Sequence, residues 1–321
     1  MSSDPTLSPT STTPVKPPAR TLRAIPPGVE YQNALSDDKR RIGRGLIAIG
    51  LLIGGMFGMT LGTVQIAFHV DATLGLSGYT GTIHIAAMLP IALLIPWSML
   101  IQRWLYGVRA ASLTSVFGVF RTALFGKAML VVVPLWAVNL VVSNLVMDNA
   151  TTTWTTTGLA YVFLMTLLLT PLQAAGEEYG YRGLVFRVAT SWARGPRPAL
   201  ILGIAVSSLV FAVVHFSTDP WVNLYYVVFA STLAIITWRS GGLEIGIVVH
   251  AVNNTIGFLV LLVFHADFTA ANDRSDGAGS AIMLLPCALH LVITAWVWWM
   301  TRRTGPIVSP GQGSRNQDPS A

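Results

Sequence analysis

Charge is scarce in this sequence. Asp, Glu, Lys and Arg make up 11% of its 321 residues, where a soluble globular domain carries roughly 25%. Too few charges exist to cover a water-facing surface, which excludes the two soluble domains that the length alone would allow. Cysteine is nearly absent. Cys287 stands alone, so an internal disulfide framework and a cysteine-cluster metal site are both excluded. No internal repeat is visible, which weighs against transporters built from inverted repeats.

Apolar residues fill the chain instead, at 53%, with a mean hydropathy of +0.60. These values describe an all-α integral membrane protein, a bundle of about eight transmembrane helices around a polar active-site cavity. A bilayer core is crossed by roughly 20 apolar residues, and eight segments approach that length. They run over about 44–69, 82–101, 126–146, 158–176, 198–216, 221–238, 243–265 and 280–300. Residues 1–43 are rich in Ser, Thr and Pro and bury too little apolar surface to offset their ordering entropy, so a disordered cytosolic tail is expected. No apolar stretch precedes residue 45, so no secretory signal is read there. A second loose tail is expected over 304–321, leaving 44–303 as the membrane domain.

With the N-terminus placed in the cytoplasm, 19 of the 20 Lys and Arg residues fall on the inner side and only Arg274 on the outer. That asymmetry orients a membrane protein. It puts both termini in the cytoplasm, of a bacterial plasma membrane by expectation. It also explains the +6 net charge by anionic lipid, without nucleic acid as a partner.

Ionisable residues at bilayer depth cost several kcal/mol and by default mark function. Glu177-Glu178-x-x-x-Arg182 closes the fourth segment. Glu178 and Arg182 are four apart and share a helix face, while Glu177, about 100° away, is expected to stay free as a proton acceptor. His215 follows Phe211 by four in the fifth segment, and His250 precedes Asn254 by four in the seventh. Each taken singly is equally an interfacial ion pair, a core histidine or inter-helix glue. Together, a carboxylate and an imidazole can deprotonate water, and a His/Asn pair can donate to the oxyanion formed on an amide carbonyl. Depth counting alone places Glu177 near the inner end and His215 near the outer end, so the fourth helix must run deeper than hydropathy shows. His69, His84, His265 and His290 read as boundary or packing residues, Asn139 and Asn144 as helix bridges, and Glu244 as a residue at the inner interface near Arg239. Asn223, Tyr225 and Tyr226 are candidates for lining the cavity. The glycines between Gly43 and Gly58 suit close packing of the first helix.

The three motifs, in this order and on these segments, resemble the CPBP family, the CAAX prenyl endopeptidase and bacteriocin-processing intramembrane proteases. The motif core covers about 171–257. The resemblance implies an intramembrane endopeptidase acting on a membrane-embedded or lipidated protein or peptide. It implies that Glu177 and His215 activate water, that His250 and Asn254 polarise the scissile carbonyl, and that Glu178, Arg182 and Phe211 support them. Members are often labelled metalloproteases. Glu177, His215 and His250 would be the ligands if Zn²⁺ were held, but His-Glu-x-x-His spacing is absent, and a metal-free water mechanism is favoured. The alternatives are a proton-coupled transporter and a non-catalytic membrane scaffold.

Overall fold

The computed structural model describes residues 22–36, 40–146 and 150–311. The expected tails over 1–21 and 312–321, and the side chain of Asn144, lie outside the described residues. Among the described residues, eight helices are long and apolar enough to cross a membrane. Helix α1 (Ile42–Leu74) leads to a second span broken at Leu93 into α2 (Gly81–Ala92) and α3 (Leu94–Tyr106). Helices α4 (Thr122–Val146) and α5 (Thr156–Glu177) follow. The chain continues from α5 through a π-helical stretch, Glu178–Val185, into the short α6 (Phe186–Thr190). Then come α7 (Pro196–Val213), α8 (Pro220–Ser240), α9 (Glu244–Val263), the single turn α10 (Phe268–Ala271) and α11 (Leu284–Met300). No sheet occurs among the described residues.

Local chemistry sets the helix ends. Pro196 and Pro220 open α7 and α8, where a missing N–H costs nothing. The Thr155 and Asp219 side chains accept from Gly158 N and Val222 N, satisfying first-turn donors. Leucines such as Leu130 and Leu145, 80% and 68% exposed, face outward, as a lipid-facing surface requires. Gly45 and Gly55 lie against the rings of Trp192 and Trp97, while Gly43, Gly50, Gly54 and Gly58 face open space; only part of the small-residue stripe on α1 serves packing.

The fourth span runs from Thr156 to Thr190, 35 residues, far beyond the 20 or so that cross a bilayer core. The apolar segment ends near residue 176, but the helix runs deeper, as the depth count required, because Glu177, Glu178 and Arg182 depress hydropathy inside a continuous helix. Glu177 therefore sits within the bundle rather than at its edge. At Gly176 the α5 backbone crosses α2 so closely that a Cβ would lie 1.9 Å from the Ile91 carbonyl oxygen. Only glycine fits, and it seats the two carboxylates deep among their neighbours.

The basic connections gather at one end. Isolated bridges join Arg23 to Val108, Glu30 to Val308 and Ser115 to Gly242. Residues 22–36, expected to be loose, pack there instead: Tyr31 is fully buried, its hydroxyl donates to the Leu113 carbonyl at 2.5 Å, and the Arg187 guanidinium stacks 3.8 Å above its ring. Ser309 donates to the Val29 carbonyl at 2.9 Å, so 304–311 is also tied down. One aromatic ring and one buried cation hold a segment whose composition alone is that of a tail. Among the described residues, four of the cations counted on the inner side are internal, Arg239 among them. Arg182 and Arg187 are fully buried, and Arg121 makes a 2.6 Å ion pair with Glu244. Glu244 thus pairs with Arg121, whereas Arg239 bonds Thr301.

Candidate active site

The two carboxylates, Arg182, Phe211, His215, His250 and Asn254 converge in the middle of the bundle. Glu177 ends the α-helical part of the fourth span and Glu178 begins its π-helical part, at the sort of irregularity that recurs at functional sites. His250, on α9, lies between the two carboxylates. Its Nδ1 is 2.7 Å from Glu178 Oε1 and its Nε2 is 3.2 Å from Glu177 Oε2. Glu177 is therefore not free, as its helical phase suggested. The 100° between adjacent side chains is spanned by one imidazole with a nitrogen on each edge, a contact that depends on α9 packing against α5. Both contacts need a proton on each ring nitrogen or on the facing carboxyl.

Glu178 Oε1 also meets Arg182 Nη2 at 3.1 Å, the expected pairing one turn apart. The guanidinium is fully buried and lies 4.4 Å from the Phe211 ring centre and 5.5 Å from that of Phe229. Cation–π attraction of this kind grows when the cation is desolvated. Phe229 also meets the His250 ring edge-on at 4.8 Å. No signal in the sequence singled out Phe229, an aromatic among many apolar neighbours.

His215 lies just past the end of α7. Its Nδ1 is 2.6 Å from the Phe211 carbonyl oxygen, an acceptor only, so Nδ1 carries the proton and donates. That leaves Nε2 with a lone pair. The ring packs against Phe211 and Tyr226, at 4.5 and 4.2 Å between centres. Arg274 Nη1 donates to the His215 carbonyl at 3.0 Å and so clamps this turn. Burial pushes the His215 pKa below its ordinary value, and the Glu177 carboxylate opposes that shift.

Asn254 joins a polar row that sequence reading passed over. Its Nδ2 donates to Gln173 Oε1 at 3.0 Å, and its Oδ1 accepts from Asn253 Nδ2 at 2.9 Å. Gln173 precedes Glu177 by one helical turn, a spacing that could have revealed it. Other candidates are structural. His84 meets the Tyr79 hydroxyl at 2.8 Å and Thr166 at 3.3 Å. His290 packs edge-on against Trp136 and Phe229, and His69 and His265 are exposed. Asn223 holds the Ser217 carbonyl at 3.0 Å, outside the site. Asn139 is buried with no hydrogen-bond partner among the described residues, so it bridges no helices.

Glu177, His215 and His250 do not fit a Zn²⁺ ion as they stand. Both nitrogens of His250 face carboxylates, and its Nε2 meets Glu177 directly at 3.2 Å, which leaves no ion-sized gap between those two. No group of three His, Cys, Asp or Glu with metal-binding geometry occurs among the described residues.

A many-span helical membrane protein with a buried Glu–His–Glu cluster and a second histidine at the end of a neighbouring span is the class this structure defines. Residues 156–256 match the family model described as Rce1-like, type II CAAX prenyl endopeptidase. The match covers the segment that carries all three motifs, which is thus similar to CAAX-type intramembrane proteases. No curated protein and no solved structure matches the chain.

Proposed function

We propose that this chain is an intramembrane endopeptidase that hydrolyses a peptide bond of a membrane-associated or prenylated protein with a water activated by Glu177 and His215. The observation that carries this reading is a fixed tautomer beside the carboxylate cluster: His215 Nδ1–H is spent on the Phe211 carbonyl, so Nε2 is an acceptor, and the rings of His215 and of His250, which meets Glu177, both pack against Phe211. A water between Glu177 and His215 gives one proton to Glu177 and sets its other hydrogen on the His215 Nε2 lone pair as its oxygen bonds to the scissile carbonyl carbon. The carbonyl π electrons move to oxygen, and donors from the His250/Asn254 turn of α9 meet the oxyanion. The His250 Nε2–H, which faces Glu177, is the donor positioned to turn to the substrate oxygen. The tetrahedral intermediate collapses, the C–N bond breaks, and the abstracted proton passes to the leaving amine. Glu178 and Arg182 hold His250 from its far side.

The packed segments 22–36 and 304–311 lie at the basic end, which we assign to the cytoplasm. The experiment is a comparison of new peptide termini in membranes of cells carrying wild type or Glu177→Ala at matched levels. Termini unique to wild type are expected. Identical profiles with folded variant protein would sink the proteolytic reading and favour a scaffold or transporter.

A further inference from the structure

The row of side-chain amides beside the site has a direction, and that direction is set far from the chemistry. On α4, the Trp136 indole N–H donates to Asn253 Oδ1 at 2.8 Å, and the Tyr225 hydroxyl donates to the same oxygen at 3.2 Å. Asn253 Nδ2 donates to Asn254 Oδ1 at 2.9 Å, and Asn254 Nδ2 donates to Gln173 Oε1 at 3.0 Å. An amide turned over exchanges its oxygen for its nitrogen, so each asparagine in such a row has two orientations. Gln173 does not choose between them, because its own amide can turn over with that of Asn254. Trp136 does. An indole N–H is a donor only, and Trp136 is fully buried, so the group of Asn253 that faces it is the oxygen. The Asn253 nitrogen then faces Asn254, which must meet it with oxygen. The Asn254 nitrogen is left on the far side with two hydrogens, one of them on Gln173. Asn254 is half-buried and shares the His250 face of α9.

We infer that Trp136 and Asn253 are positioning residues that fix the direction of this amide row, so that Asn254 offers the substrate carbonyl an N–H rather than an oxygen. The inference rests on the proteolytic reading above. In the reversed row, Asn254 would set an acceptor against the negative charge that develops on the carbonyl oxygen, replacing attraction by repulsion.

The test uses the purified full-length chain in detergent with an internally quenched farnesylated peptide as probe. Trp136→Phe keeps the ring and deletes the donor. The Tyr225 hydroxyl, which can donate or accept, then leaves the direction undetermined, and kcat is expected to fall about tenfold, short of the loss that follows removal of a whole oxyanion donor. Asn253→Asp keeps the shape but presents only acceptors when ionised, so Asn254 must turn its nitrogen away from substrate. A kcat loss on the order of 10²-fold or more, matching Asn254→Asp, is expected, with KM nearly unchanged. A merely structural role would instead lower the melting temperature and the active fraction. Wild-type kcat in both folded variants overturns the inference, as does a loss that tracks only unfolded protein. A second readout is the ¹⁵N-indole resonance of Trp136, assigned by its disappearance in Trp136→Phe. Slow solvent exchange and a shift in Asn253→Leu are expected, and a freely exchanging indole overturns the row. If wild type cleaves neither this probe nor its unprenylated form, the proteolytic reading fails. If it cleaves and the variants are unaffected, only the amide row fails.

Discussion

At the scale of single residues, the site is a contest for protons in a place with little water. Glu177, Glu178 and His250 are each at least 94% hidden from solvent, and charges held so deeply persist only when paired and hydrogen-bonded. The imidazole between two carboxylates supplies that pairing. Glu177→Gln keeps the shape but removes the base, and peptide cleavage is expected to fall by about 10²–10⁴-fold while the melting temperature changes little; a purified-enzyme assay checks both. His215 gives a pH dependence. Burial lowers its pKa, so the neutral, proton-accepting ring persists below the ordinary value of about 6.5. Activity should hold as pH falls to that value and decline only below it. The Arg274 cation also lowers this pKa, so Arg274→Gln should move the acid limb of kcat/KM toward higher pH. An acid limb already above pH 7 in wild type would remove His215 from the role of base.

At the scale of elements, the π-helical stretch and the α5–α2 crossing decide where the carboxylates stand. Gly176→Val would drive a side chain into the Ile91 carbonyl, forcing the helices apart. Folded protein recovered in detergent should drop sharply, whereas Gly257→Ala, which meets open space, should be tolerated. The loop between α3 and α4 is fastened by Arg121, whose Nε and Nη2 meet the two Glu244 oxygens at 2.9 and 2.6 Å. Breaking one side of a buried pair strands the other charge, at a cost of about 3–5 kcal/mol. Arg121→Ala is thus expected to lower thermal stability markedly, and Arg121→Met with Glu244→Gln to recover much of it. Additive losses in the double variant would show that the pair does not act as a unit.

At the scale of the whole molecule, the basic connections share one end and the Arg274 loop, tied to the His215 turn, lies at the other. In a Cys287→Ser background, a membrane-impermeant maleimide should label Asp276→Cys in intact cells and Thr304→Cys only after lysis. The reverse pattern would invert the assigned orientation. The packed 22–36 and 304–311 segments add a covering at the basic end that a charge count could not foresee.

Hydropathy determined the eight spans by itself, because crossing a bilayer is a demand on each segment's own composition. Helical spacing determined the Glu178–Arg182 pair, and the three motifs marked the segments that meet. Contacts between distant segments were decided only in three dimensions. His250 between both carboxylates, Glu244 on Arg121 rather than Arg239, Tyr31 under Arg187 and Trp136 at the head of the amide row all join residues more than 60 positions apart. The reason is physical: helix period and hydropathy act within one segment, whereas the partner of a buried polar group is whichever group the packing of other helices brings within hydrogen-bond reach.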